Sequence, residues 1–113
     1  MLTIYHNPSC SKSRETLEII KEHGTEVRVV EYLKDIPSEK QLRSILKKLK
    51  LRPEQLLRKT EQVYIDLFKG KTLTDEEWIS AMVEHPQLME RPVVVNGKKA
   101  ILGRPPQNVL DLL

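Results

Sequence analysis

Two short β-branched runs separated by a single amphipathic helix constrain this chain more than any other feature. Leu2 and Ile4 open a strand that closes near Tyr5, and Val27, Val29, Val30 and Tyr32 make a second. Between them, residues from about Ser11 to His23 follow a helical pattern. Leu17 and Ile20 face inward there, flanked by Thr16 and Ile19, and Gly24 stops the helix. Strand, helix and strand within about 30 residues form a βαβ unit, so the two strands should be parallel with a right-handed crossover.

The middle of the chain changes to a helical period. Ser38 and Gln41 form a capping box ahead of Leu42, Ile45, Leu46 and Leu49, and Pro53 opens a short helix with Leu56 and Leu57. Thr60 is the expected cap for a further turn or two through Val63, Tyr64, Leu67 and Phe68, closed near Gly70. A second box, Thr74 with Glu77, starts a helix whose Trp78, Ile79, Met82 and Val83 face the core, and Pro86 ends it. The period then returns to two: Pro92 to Leu102 reads as a hairpin with Asn96-Gly97 at its turn. A C-terminal helix holding Val109, Leu110 and Leu113 follows. The expectation is one α/β domain over 1–113, βαβ plus ββα, with a helical insert at about 38–86. If the hairpin pairs antiparallel to the first strand, the sheet is mixed, four-stranded and thioredoxin-like.

The stretch Tyr5-His6-Asn7-Pro8-Ser9-Cys10-Ser11-Lys12-Ser13-Arg14 places the chain's one cysteine where a strand turns into a helix. Unpaired helical N–H groups and the positive end of the helix dipole favour thiolate over thiol at such a position, and His6, Lys12 and Arg14 add charge nearby. One cysteine excludes an internal disulfide and any multi-cysteine metal site, and no metal is expected. It suits a reducing cytoplasm, and neither a signal peptide nor a membrane-spanning run is read. The net charge of +3 is mild, and five aromatic residues without basic interleaving give no nucleic-acid platform. The basic run Lys47 to Arg52 reads as a solvated helix end.

Topology brings distant charges to the cysteine. The first strand ends at Cys10, the antiparallel third strand begins at that end behind Arg91, and the fourth returns to it at Gly103-Arg104. Two guanidinium forks beside a thiolate suit a tetrahedral oxyanion. A phosphatase loop would put arginine six residues after the cysteine; Thr16 stands there. Ser13 occupies the second-cysteine place of a Cys-x-x-Cys motif, so redox turnover needs an outside thiol. Elsewhere His23 and His85 read as helix C-terminal partners, and Arg43 and Arg52 as surface residues. Arg14 is either a partner of Glu18 or an anion contact.

The reactive stretch, with Leu57-Arg58-Lys59, Leu88 to Val95 and Ile101-Leu102-Gly103-Arg104-Pro105, resembles the ArsC family, the glutaredoxin-dependent arsenate reductases and their bacterial relatives. The resemblance spans nearly the whole chain. It implies a thioredoxin-like fold with a helical insert, and a cis bond between Arg91 and Pro92. It also implies a reaction in which Cys10 attacks arsenate, glutathione joins the arsenic as co-substrate, and glutaredoxin helps release arsenite. No bound cofactor is implied. By the same resemblance Arg58, Arg91 and Arg104 bind the oxyanion, His6 sits near the cysteine, and Ser13 donates a hydrogen bond to its sulfur. Two alternatives stand beside this one. One is another glutathione-linked thiol oxidoreductase; the other is a non-enzymatic regulator similar to the Spx proteins, which carry a second cysteine where this chain has Ser13.

Overall fold

Alternating burial along Leu2–His6, with Leu2, Ile4 and His6 inward, is the period-two signature of a strand with one face in a core. The computed structural model describes residues 1 to 113, and they form two units: Met1–Asp35 with Arg91–Leu113, and Ile36–Glu90. The first contains strands β1 (Leu2–His6), β2 (Val27–Glu31), β3 (Val93–Asn96) and β4 (Lys99–Leu102), with helix α1 (Ser11–Glu22) between β1 and β2. The sheet order is β2-β1-β3-β4. β1 runs parallel to β2 with Ile4 opposite Val29, and antiparallel to β3 with Ile4 opposite Val94. β4 returns antiparallel to β3. This is the mixed thioredoxin-like sheet expected from the two strand pairs. Its core is Leu2, Ile4, Ile20, Val94, Val109 and Leu112.

Several details differ from expectation. The buried face of α1 is Ser13, Thr16 and Ile20, an i, i+3, i+7 stripe, while Leu17 and Ile19 pack only at the margin of the core. In the hairpin, Asn96 pairs with Lys99 as the last residue of β3, so the turn is Gly97-Lys98. Gly97 alone takes positive φ, at 60°, the position a two-residue II′ turn reserves for glycine. Asn96 is free to donate its Nδ2 to the carbonyl of Leu112 at 2.9 Å.

The C-terminal segment is a 3₁₀ helix, Pro106–Leu112. Three residues per turn align Pro106, Val109 and Leu112, and these are its buried side chains. Leu110, expected inside on a 3.6-residue period, is 50% exposed.

The second unit holds α2 (Glu39–Leu49), α3 (Gln62–Leu67), α4 (Asp75–Glu84) and short 3₁₀ turns at Pro53–Leu56 and Pro86–Leu88. Both capping boxes form: Gln41 N donates to Ser38 Oγ, Glu77 N to Thr74 Oγ1, and the side chains of Gln41 and Glu77 accept from the capping N–H groups. Glu61, not Thr60, caps α3; its carboxylate pairs with Arg58 instead of closing the helix. Trp78, Ile79 and Met82 are buried with Ala81, whereas Val83 is half-buried. Tyr64 and Phe68 lie against the Trp78 ring, and His85, the α4 C-cap, meets Phe68 edge-on at 5.8 Å. An antiparallel bridge between Leu57 and Met89 is flanked by Arg58 N to Leu88 O at 2.7 Å and Glu90 N to Leu56 O at 2.8 Å. No helix is long and apolar enough to cross a membrane.

Candidate active site around Cys10

β1 ends at His6, and the next residues make a tight loop before α1. Ser9 N donates to Asn7 Oδ1 at 3.0 Å and Cys10 N to Asn7 O at 3.0 Å, so Asn7 winds the chain around its own side chain. Cys10 then takes the N-cap position with extended φ −96° and ψ 122°, and its carbonyl accepts the first helical bond from Arg14 N at 3.0 Å. A neutral thiol is a weak acceptor, and no conventional side-chain cap closes α1. The anionic sulfur is the acceptor this end of the helix lacks. Burial pushes the half-buried thiol up, but the Ser13 N–H, a hydrogen bond from Arg91, the Lys12 N–H and the Arg91 charge together outweigh it. The thiol titrates below its ordinary value.

The hairpin brings in the arginines. Arg104 Nη2 lies 3.6 Å from Cys10 Sγ, across 94 positions of sequence, and Arg104 Nε donates to the carbonyl of Arg91 at 2.8 Å. One guanidinium thus ties the entry of the hairpin to its exit while facing the sulfur. Asn108 Nδ2 donates to the carbonyls of Leu102 and Arg104, fixing the exit from its other side. The Arg91–Pro92 bond is cis, as expected, and so is Arg104–Pro105.

His6 and Ser13 are both buried and lie together, Nδ1 to Oγ at 2.6 Å. Asn7 N donates to the same Oγ at 3.0 Å. The expected hydroxyl-to-sulfur bond is therefore corrected: the Ser13 hydroxyl serves His6 and the loop, and it is the Ser13 backbone N–H that acts on the sulfur. Burial lowers the His6 pKa; Glu31 opposes this, and Lys21 and Arg14 reinforce it, so the imidazole is neutral at neutral pH. Arg14 is exposed and donates Nη1 to Pro8 O at 3.0 Å, a brace on the loop. A cleft of about 390 Å³ opens beside this loop, lined by His6, Asn7, Pro8 and Ser9 with Glu31, Leu33 and Lys34. Arg58 lies in the helical unit, where its guanidinium meets Glu61 at 3.3 Å and Glu90 at 3.3 Å.

Asn7, Thr16 and Asn108 were not among the expected site residues. The Asn-Pro-Ser turn signalled the first; the others show only once α1 and the hairpin meet.

Residues 5–112 match the ArsC family. The chain belongs to the ArsC family. This ArsC protein is 47% identical over 112 residues to an uncharacterized protein, YfgD, of Escherichia coli strain K12, covering 97% of this chain and 94% of that one. It is 43% identical to an arsenate reductase of Haemophilus influenzae, with 97% of each chain covered. A solved structure of an arsenate reductase from Vibrio cholerae superposes with a TM-score of 0.95 at 42% identity, covering 99% of this chain and 97% of that one. The matched residues of this ArsC protein include the whole Cys10 loop and both hairpin arginines.

Proposed function

We propose that this protein is an arsenate reductase that uses Cys10 as nucleophile with glutathione and glutaredoxin as outside thiols. The observation that carries the reading is the sulfur itself: a thiol held at a helix N-terminus, with Arg104 Nη2 at 3.6 Å and Arg91 hydrogen-bonded to it. Arsenate is a tetrahedral oxyanion, and guanidinium forks are the side chains best shaped to grip it and to neutralise charge as sulfur approaches arsenic. The arsenate reductases among its relatives support the choice of oxyanion.

The chemistry balances with thiols alone. The Cys10 thiolate forms a bond to As(V), and one arsenate oxygen leaves as water after protonation. The glutathione thiol displaces a second oxygen in the same way. A glutaredoxin thiolate then takes the glutathionyl sulfur as a disulfide, and the electron pair of the broken S–As bond stays on arsenic as As(III). Water releases arsenite and restores Cys10. The chain has no second cysteine, so the reducing equivalents come from outside. Arg58 is assigned by resemblance alone; Glu61 and Glu90 already balance its charge, and Arg58→Ala in the same assay reads its share.

The test is arsenate-dependent NADPH consumption with glutathione, glutathione reductase and glutaredoxin supplied. Wild type should turn over and Cys10→Ser should not. Turnover of mixed disulfides without arsenate turnover would move the protein to the general thiol oxidoreductases.

A further inference from the structure

Thr16 is a fully buried polar residue in the middle of α1 that the chemistry above does not use. Its Oγ1 donates to Lys12 O one turn back at 2.7 Å and lies 3.5 Å from the carbonyl oxygen of Gly103. A Cβ on Gly103 would fall 2.5 Å from Thr16 Oγ1 and 2.7 Å from Pro92 Cγ, closer than real Cβ atoms come. Glycine is present there for close approach, because its φ is not in the left-handed region. Gly103 N also donates to Pro92 O at 2.9 Å, so the Gly103 backbone is seated between the side chain of α1 and the proline that follows Arg91.

We propose that Thr16 and Gly103 are positioning residues, an interlock that sets how far the Arg104 guanidinium stands from the Cys10 sulfur. Thr16 lies one turn beyond Ser13 on the buried face of the helix that Cys10 caps, and Gly103 immediately precedes Arg104. Any side chain at 103 drives the hairpin exit away from α1 and carries Arg104 with it. The Thr16 hydroxyl adds direction to the contact. Its one proton goes to Lys12 O, and that bond orients Oγ1 and Cγ2 so that both meet the glycine. Sub-ångström placement of an oxyanion donor matters because the donor must meet the position the reacting atoms will occupy, and a displacement of about 1 Å can cost about a hundred-fold in rate.

The part of the inference that concerns arsenate rests on the proposed function; the part that concerns the thiol does not. The experiment therefore has two arms, applied to Gly103→Ala, Thr16→Val and Thr16→Ser, with Lys98→Ala at the hairpin tip as control. The first arm follows the rate of Cys10 alkylation by iodoacetamide against pH. The second measures KM and kcat for arsenate in the coupled assay, with thermal unfolding alongside. Gly103→Ala should move the alkylation midpoint to higher pH and raise KM for arsenate about ten- to a hundred-fold. Thr16→Val, which keeps the shape and loses the donor, should shift both in the same direction by less. Thr16→Ser should restore the wild-type midpoint more closely than valine does, and Lys98→Ala should leave all of them unchanged. If Gly103→Ala does not fold, the valine and serine pair decides. Variants that lose thermal stability yet keep the wild-type midpoint and KM would reduce Thr16 and Gly103 to ordinary packing and overturn the proposal. A wild type that leaves arsenate untouched defeats the functional reading, and the alkylation arm then decides the interlock alone.

Discussion

Replacing Arg104 separates the shape of a guanidinium from its charge. In the folded protein this one side chain spans two acceptors, with Nε on the Arg91 carbonyl at 2.8 Å and Nη2 facing Cys10 Sγ at 3.6 Å. A lysine ammonium can reach one of these but cannot fork between them. Alanine removes both. A hydrogen bond involving a charged group contributes about 1.5–3 kcal/mol, and each 1.4 kcal/mol is tenfold. Arg104→Ala should therefore lower kcat/KM for arsenate by about ten- to a hundred-fold, and Arg91→Ala, which removes the second guanidinium at the sulfur, by a similar factor. Arg104→Lys should fall between alanine and wild type, because it keeps the charge and loses the fork. At 3.6 Å, an ordinary distance for a donor to sulfur, Nη2 also holds the resting thiolate, so Arg104→Ala should raise the alkylation midpoint of Cys10 as well as lower turnover. Steady-state arsenate reduction by these variants and Lys98→Ala, with thermal unfolding alongside, makes the comparison. Folded Arg91→Ala and Arg104→Ala proteins that reduce arsenate at the wild-type rate would show that the oxyanion is held elsewhere.

His6 makes stability depend on pH in a stated direction. Folding lowers its proton affinity, so below the ordinary value of about 6.5 the unfolded chain binds more protons. Its stabilising share is complete above that pH and declines as pH falls through the folded value. Subtracting the urea stability of His6→Gln from that of wild type between pH 5 and 7 should give a difference that rises with pH, and a flat or falling difference contradicts the assignment. Ser38→Ala removes the hydroxyl half of a capping box and should cost about 0.5–2 kcal/mol, read from the urea midpoint at constant m. The three-residue period of Pro106–Leu112 predicts that Val109→Ala costs about 2 kcal/mol while Leu110→Ala stays within about 0.5 kcal/mol. Equal costs would return that segment to an ordinary α-helix.

The strand pairs and the capping boxes were legible because each is written in adjacent residues. Leu2 and Ile4, the valines at 27, 29 and 30, and the run Val93–Val95 state their period locally. So do Ser38 with Gln41 and Thr74 with Glu77. Convergence of Arg91 and Arg104 on Cys10 followed from strand direction alone. The inward face of α1 did not. Ser13 and Thr16 are fully buried, yet a polar residue reads as solvent-facing until its partners are known, and those partners are His6, the Asn7 N–H and the Gly103 backbone. The C-terminal segment failed for a different reason. Over seven residues, apolar positions at 106, 109 and 112 compete with 109, 110 and 113, and only packing against the sheet chooses between a period of 3.0 and one of 3.6. Arg58 has no local or topological signal for an anion, and in the folded chain it sits between two carboxylates.

The 94 positions between Cys10 and Arg104 also set an order of events on the ribosome. The Ser13 and Lys12 N–H groups are available as soon as the first helix winds. The guanidinium groups are not: Arg91 and Arg104 are synthesised only after the entire Ile36–Glu90 unit has been made. Until then the nascent chain carries a cysteine that lacks the arginines' share of its acidity, so less of it is thiolate at neutral pH. The thiol reaches its folded-state acidity only when the hairpin docks on β1 and brings the two guanidinium groups to the sulfur.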